Sequence, residues 1–256
     1  MNTISKPLVV ITGASAGIGA STARRFAKEG FRLALTARRL DRLEQLRKEI
    51  KGEISIFELD VCSSDAVAEV FQRIEQKEGP IEILVNNAGC GFGLEPAYQG
   101  KIKEWERCID TNINGLLYCT RVALPTMVKL DRGHIINLGS VAASYPYPGG
   151  NVYGGTKAFV RQFSLNLRAD LLGTKVRVSC IEPGLVGDTE FSVVRFRGNE
   201  TRAAKVYEHA KALTPDDIAE VIYFCHALPP HVNINTVEVM PVCQASGPLV
   251  IHRTSN

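Results

Sequence analysis

The chain has 256 residues, of which 45% are hydrophobic and 22% charged, and its net charge is +3. That is an ordinary soluble globular composition, and the length suits one α/β domain, so residues 1–256 are expected to fold as a single unit. The small net charge and the lack of a basic tail argue against nucleic acid as a partner, and no apolar run approaches the ~20 residues of a membrane span.

The first residues, MNTISKPLVVITGAS, lead straight into a strand and a glycine loop, unlike a signal peptide. The seven cysteines are scattered, with no CxxC and no zinc spacing. A cytoplasmic protein with reduced, packing cysteines and no metal is the expectation.

Along the chain, short β-branched runs alternate with amphipathic stretches. The predicted strands are 8–12, 32–36, 54–59, 83–86, 134–138, 177–181 and 236–240. Between the third and fourth, Val67, Val70, Phe71 and Ile74 repeat at helical spacing. LVVIT and EILVN are apolar on both faces, as in a parallel sheet covered by helices. The pattern predicts a single-domain, Rossmann-type, doubly wound sheet of seven parallel strands. Ligands in such sheets sit beyond the C-terminal strand ends.

The first strand end carries Gly13, Ala14, Ser15, Ala16, Gly17, Ile18 and Gly19, spaced GxxxGxG, followed by a helical pattern. Such a loop lets a phosphate approach the backbone and the positive end of a helix. An ordinary strand–helix turn would look similar. The second end carries Arg38 and Arg39 and no acid. An acid there would suit the ribose hydroxyl of NAD, whereas arginines suit a 2′-phosphate, so the expected cofactor is NADP. Either arginine could instead simply solvate the next helix. Asp60 and Val61 follow the third strand and could receive an adenine, although Asp60 could equally start a turn. Asn86-Asn87-Ala88-Gly89 follows the fourth strand, with Asn87 beside the cofactor path. Alone, such an amide more often closes a turn.

Ser140 ends the fifth strand, thirteen residues before Tyr153, and Lys157 lies four beyond Tyr153. On a helix, Tyr153 and Lys157 share a face. Gly154-Gly155 between them should weaken that helix by about 1 kcal/mol each relative to alanine. A free phenol titrates near ~10, and a cation one turn away should bring it down. Tyr153 could then exchange a proton with a substrate alcohol or carbonyl while a nicotinamide carries the hydride, with Ser140 holding the substrate oxygen.

The set TGxxxGxG, NNAG, Asn112 in TNING, Ser140, YxxxK and Pro183-Gly184 resembles the short-chain dehydrogenase/reductase superfamily. Longer stretches, such as GHIINLGSVA and NVYGGTKAFVRQFSLNLRADLLGTKVRV, resemble its NADP-dependent 3-hydroxy acid (serine or L-allo-threonine) dehydrogenases. The resemblance implies a catalytic tetrad of Asn112, Ser140, Tyr153 and Lys157. Asn112 would hold a proton-relaying water. It adds Pro183, Gly184, Leu185, Val186, Gly187, Asp188, Thr189, Glu190 and Phe191 to the cofactor contacts, and it implies a homotetramer. The implied substrates are small 3-hydroxy acids or semialdehydes.

The segment 187–212 is the expected substrate lid. Arg195 within it is a candidate for the substrate carboxylate. Glu182 is a lesser candidate for a substrate ammonium. Two other functions remain open at this point: a broad-specificity NADPH-dependent carbonyl or aldehyde reductase, and a non-catalytic NADP-sensing protein.

Overall fold

The structure is a computed structural model, and it describes residues 6–247. Seven parallel strands form one sheet: β1 (Leu8–Thr12), β2 (Arg32–Ala37), β3 (Ile54–Glu58), β4 (Ile81–Asn86), β5 (Gly133–Leu138), β6 (Val176–Pro183) and β7 (Thr236–Val239). Their order is β3-β2-β1-β4-β5-β6-β7. Pairing is in register across the centre, with Val10 opposite both Ala34 and Leu84. The chain reverses direction of growth between β1 and β4, so a crevice opens there beyond the C-terminal strand ends.

Helices α1 (Gly17–Lys28) and α2 (Leu40–Glu49) cover one face, joined by the late helix Pro215–Ala227. Helix α3 (Ser64–Glu78) covers the other with Gly115–Lys129 and Asn151–Asp170. The central strands are buried on both faces, which explains their unbroken apolar runs. Phe26 and Phe71, fully buried on opposite faces, anchor the two halves of the core. Truncating either to alanine should cost about 3–5 kcal/mol.

Predicted strands and observed strands differ only at their ends. One element had no counterpart in the sequence reading. Helix α4 (Ile102–Ile109) runs through a π turn, Asp110–Asn114, into α5 (Gly115–Lys129) without a break. Such turns widen a helix by one residue and commonly mark functional positions. Asn112 sits inside this one.

Helix α6 (Asn151–Asp170) contains the whole YGGTK stretch. Gly150 at its start already has helical dihedrals, and the Gly154 N–H bonds the Gly150 carbonyl at 2.8 Å. A Cβ on Gly154 would lie 3.2 Å from the Ala142 carbonyl oxygen, so a turn of the same chain packs close there. A Cβ on Gly155 would meet nothing within 4 Å.

After β6 come two short helices, α7 (Phe191–Arg195) and α8 (Glu200–Lys205), then α9 (Pro215–Ala227). A bridge between Val186 and Leu213 closes the base of this excursion. None of the described helices is long and apolar enough to cross a membrane. All seven cysteines are free thiols, and four are buried.

Candidate active site

A cavity of about 620 Å³ lies at the switch point. Its floor is the loop between β1 and α1. Gly13 and Gly17 adopt φ of 65° and 52°, the left-handed region that glycine enters without strain. A Cβ on Gly13 would come within 2.9 Å of the Ala88 Cα. Helix α1 starts at Gly17 with no side-chain cap and no acid in its first turn. Its first N–H groups therefore face the cavity with the positive end of the helix dipole. Ser15, Ala16, Gly17 and Ile18 line the cavity beside Gly13, whereas Ala14 is buried beneath them and Gly19 packs on the Asn87 side chain.

Asn87 holds this loop in place. Its amide donates to the Thr12 and Gly13 carbonyls at 2.9 and 3.1 Å, and the Thr12 hydroxyl accepts from the N–H groups of Asn87 and Ala88, both at 3.1 Å. Asn86 points the other way, into a buried chain through Thr120 and Asn137 to Ser164. Asp60 closes a turn by accepting from the Cys62 N–H at 3.1 Å, and it lines the cavity together with Val61.

The two arginines after β2 differ. Arg38 lines the cavity and, among the described residues, makes no hydrogen bond or ion pair. Arg39 forms a bidentate pair with Glu190, at 3.0 and 2.7 Å. The carboxylate of Glu190 is held below its usual range by that pairing.

Ser140, Tyr153 and Lys157 converge on the cavity from β5 and α6. The Ser140 hydroxyl accepts from the Ala142 N–H at 3.1 Å and donates to the Pro183 carbonyl at 3.5 Å. Lys157 is only 7% exposed and donates to the Leu138 carbonyl at 2.7 Å. Burial lowers the pKa of its ammonium.

Tyr153 departs from expectation. Its phenol is raised above the usual value, because burial outweighs the nearby Ser140 hydroxyl and the charge of Arg195. Lys157 does not bring it down in the protein alone: its ammonium is 5.9 Å from the ring centroid and is committed to Leu138. The nearer cation is Arg195, with its guanidinium carbon 4.9 Å from that centroid.

Asn112 does not line the cavity. Its side chain, 2% exposed, locks the backbone of Cys90: the Cys90 N–H donates to Oδ1 and Nδ2 donates to the Cys90 carbonyl, both at 2.8 Å. Nδ2 also reaches the Thr156 hydroxyl at 2.9 Å. Gly89 lies between Asn112 and Lys157, since a Cβ there would be 3.3 Å from Asn112 Oδ1 and 3.6 Å from Lys157 Nζ.

The excursion between β6 and α9 covers the site. Pro183, Gly184, Val186, Thr189, Glu190 and Phe191 line the cavity. Leu185 and Gly187 bond Leu213 at the base instead. Asp188, at φ 50°, turns the chain into this excursion. Arg195 sits over Tyr153 and Phe191, and its Nη2 donates to the Tyr147 hydroxyl at 3.3 Å. Among the described residues it has no carboxylate partner, and its Nε is buried without a hydrogen bond. Arg197 is spent on Glu104 and Glu95.

Glu182 does not reach the cavity. Strand alternation turns it to the face of Cys180, where it is fully buried, 3.5 Å from the Arg161 guanidinium. Cavity residues that the sequence reading passed over include Cys90, Phe92, Arg107 and Thr111. Cys90 directly follows the NNAG motif and Thr111 is the first residue of TNING, which was the available signal.

The short chain dehydrogenase family model matches residues 7–200. The chain belongs to the short-chain dehydrogenase family. Among its relatives in that family, the NADP-dependent 3-hydroxy acid dehydrogenase YdfG of Salmonella typhi is 53% identical over 96% of this chain and all of its own. The serine 3-dehydrogenase of Agrobacterium fabrum is 47% identical, covering 96% of this chain and 98% of its own. The closed form of a serine dehydrogenase complexed with NADP+ superposes with a TM-score of 0.94 at 52% identity, covering 96% of this chain and all of that one.

Proposed function

We propose that this short-chain dehydrogenase transfers a hydride between NADP and a small 3-hydroxy acid of the serine or 3-hydroxypropionate type. The observation that carries the substrate class is Arg195, a guanidinium without a carboxylate partner, 4.9 Å over the Tyr153 ring. A cation so placed suits a substrate whose carboxylate lies near its reacting hydroxyl. The relatives named above act on such hydroxy acids.

The cavity suits a nicotinamide dinucleotide. Its volume of about 620 Å³ is in the range of cofactor sites. A side chain at Gly13 would collide with Ala88, so only bare backbone fits at the phosphate cradle. The uncapped α1 N-terminus suits a pyrophosphate, and the unpaired Arg38 suits a 2′-phosphate. When bound, the nicotinamide supplies the hydride acceptor or donor.

The chain's own residues then handle the substrate and its proton. Ser140 hydrogen-bonds the substrate oxygen, and Tyr153 takes the proton from that oxygen in oxidation or returns it in reduction. Lys157, held by Leu138, lines the cavity beside Ser140 and Tyr153, where its ammonium would donate to a bound cofactor. Asn112 is a positioning residue acting through the Cys90 backbone and Gly89. The lid excludes water, and Arg195 holds the carboxylate. We further propose a cytoplasmic homotetramer. Exposed Ile102 and Leu165 and the open Gly155 favour contact with a second copy, which light scattering tests.

Arg195→Ala tests the substrate assignment. KM for 3-hydroxy acids should rise about 10- to 100-fold, with simple alcohols little changed. An unchanged KM for the acids would refute it.

A further inference from the structure

We infer that Arg39 and Glu190 form a clasp that holds the lid over the cofactor cavity, leaving Arg38 as the arginine that reads the 2′-phosphate. The inference rests on the NADP reading above and divides a task which the sequence assigned to both arginines.

The geometry commits Arg39 on two edges. Nη1 and Nη2 grip the two carboxylate oxygens of Glu190 at 3.0 and 2.7 Å. Nε and Nη2 reach the Ser15 hydroxyl at 3.4 and 3.2 Å. Arg42 stands 3.7 Å from the same carboxylate. A planar fork fits a carboxylate in this way and keeps little freedom to turn toward another anion. Arg38, one residue earlier, lines the cavity with no partner among the described residues.

The pair also sits where a clasp is effective. It ties the end of β2 to the lid directly above the glycine loop, where a Cβ on Gly17 would be 3.2 Å from Thr189 Cγ2. The lid is already pinned at its base by Gly187 and Leu213. Its far side is fastened by Arg197 to Glu104 and Glu95, and by the Gly93 N–H to the Arg195 carbonyl. The Arg39–Glu190 pair fastens the remaining side.

Charge favours the arrangement too. Arg39 and Glu190 cancel each other's charge, and Asp41 offsets Arg42, which leaves the charge of Arg38 to meet a phosphate monoester of about −1.5 to −2. The carboxylate can stay in place when the phosphate arrives. The pair is nearly half exposed, so its worth is modest, about threefold to fivefold in closing the lid.

Binding constants for NADP and NAD, measured by calorimetry, and trypsin cleavage of the lid test this, since Arg195, Arg197, Arg202 and Lys205 all lie within it. Arg39→Ala and Glu190→Gln should each weaken NADP and NAD alike, by about threefold to fivefold, and should speed cleavage of the lid. Arg38→Ala should weaken NADP at least tenfold, leave NAD within about twofold and leave cleavage unchanged. The double reversal Arg39→Glu with Glu190→Arg should restore slow cleavage. A loss confined to NADP in Arg39→Ala overturns the inference, as does wild-type cleavage of Glu190→Gln. Equal wild-type affinity for NAD and NADP instead refutes the NADP reading, and Arg38's task with it, while the cleavage rates still judge the clasp.

Discussion

Lys157 gives a hydrogen bond to the Leu138 carbonyl at 2.7 Å rather than to Tyr153, one helical turn before it. The ammonium joins α6 to the end of β5, and Tyr153 meets the guanidinium of Arg195 from the lid instead. The excursion after β6 thus reaches Tyr153, the proposed acid–base group, through charge.

The pH profile follows from that relation. Burial raises the Tyr153 phenol, and Arg195 opposes the rise. Oxidation needs phenolate, so kcat/KM for oxidation should climb as pH rises through the neutral range. Reduction needs phenol and should hold until more alkaline pH. Arg195→Ala removes the opposing charge, so both limbs should move to higher pH. A pH profile of the variant that moves down or stays fixed contradicts this.

Tyr153→Phe removes the hydroxyl proposed to transfer the proton, without changing ring packing on Phe191. Turnover should fall about 10²- to 10⁴-fold, with the melting temperature within a few degrees of wild type. Ser140→Ala should lose activity in the same range and keep NADP affinity, measured by calorimetry.

Asn112→Ala should lose both stability and turnover. Its amide satisfies both polar groups of the Cys90 backbone, and without it these are left partly unpaired. Unfolding in denaturant should show a loss of about 1–3 kcal/mol. A variant that loses activity at full stability would mean a direct chemical role rather than positioning.

Stability should fall in acid through a cluster far from the site. His226 is depressed to about 4 and His134 well below its usual value, because both are buried beside Arg177. His226 also stacks on His134. The unfolded chain binds protons near ~6.5 that the folded chain refuses. The stabilisation is therefore full above pH ~6.5 and is lost as pH falls toward 4. Thermal unfolding at about pH 5 should lie several degrees below that at about pH 7.5. His226→Gln should flatten the dependence.

Much of this was legible in the sequence, and particular residues explain why. The strands carry unbroken apolar runs because both faces of the sheet are covered, so Leu8–Thr12 could be read directly. Tyr153 and Lys157 could be paired because helical spacing is local. Gly154 and Gly155 did not break α6, since helical stability comes mainly from packing on the sheet. Other features depend on distant contacts. The π turn at Asn112 has no local composition signal. Arg39 and Glu190 are 151 residues apart, so nothing near Arg39 announced its partner. Glu182 looked available beside Pro183, but one step along a strand reverses the face. Lys157 was expected to act on Tyr153 by proximity, and the Leu138 carbonyl claimed it instead.

The most direct test is NADPH formation by the purified protein with serine, 3-hydroxypropionate and a simple secondary alcohol, each with NADP and with NAD. The account predicts clear turnover of the hydroxy acids with NADP, at least tenfold lower kcat/KM with NAD, and weak turnover of the simple alcohol. Preference for the simple alcohol, or for NAD, would contradict it.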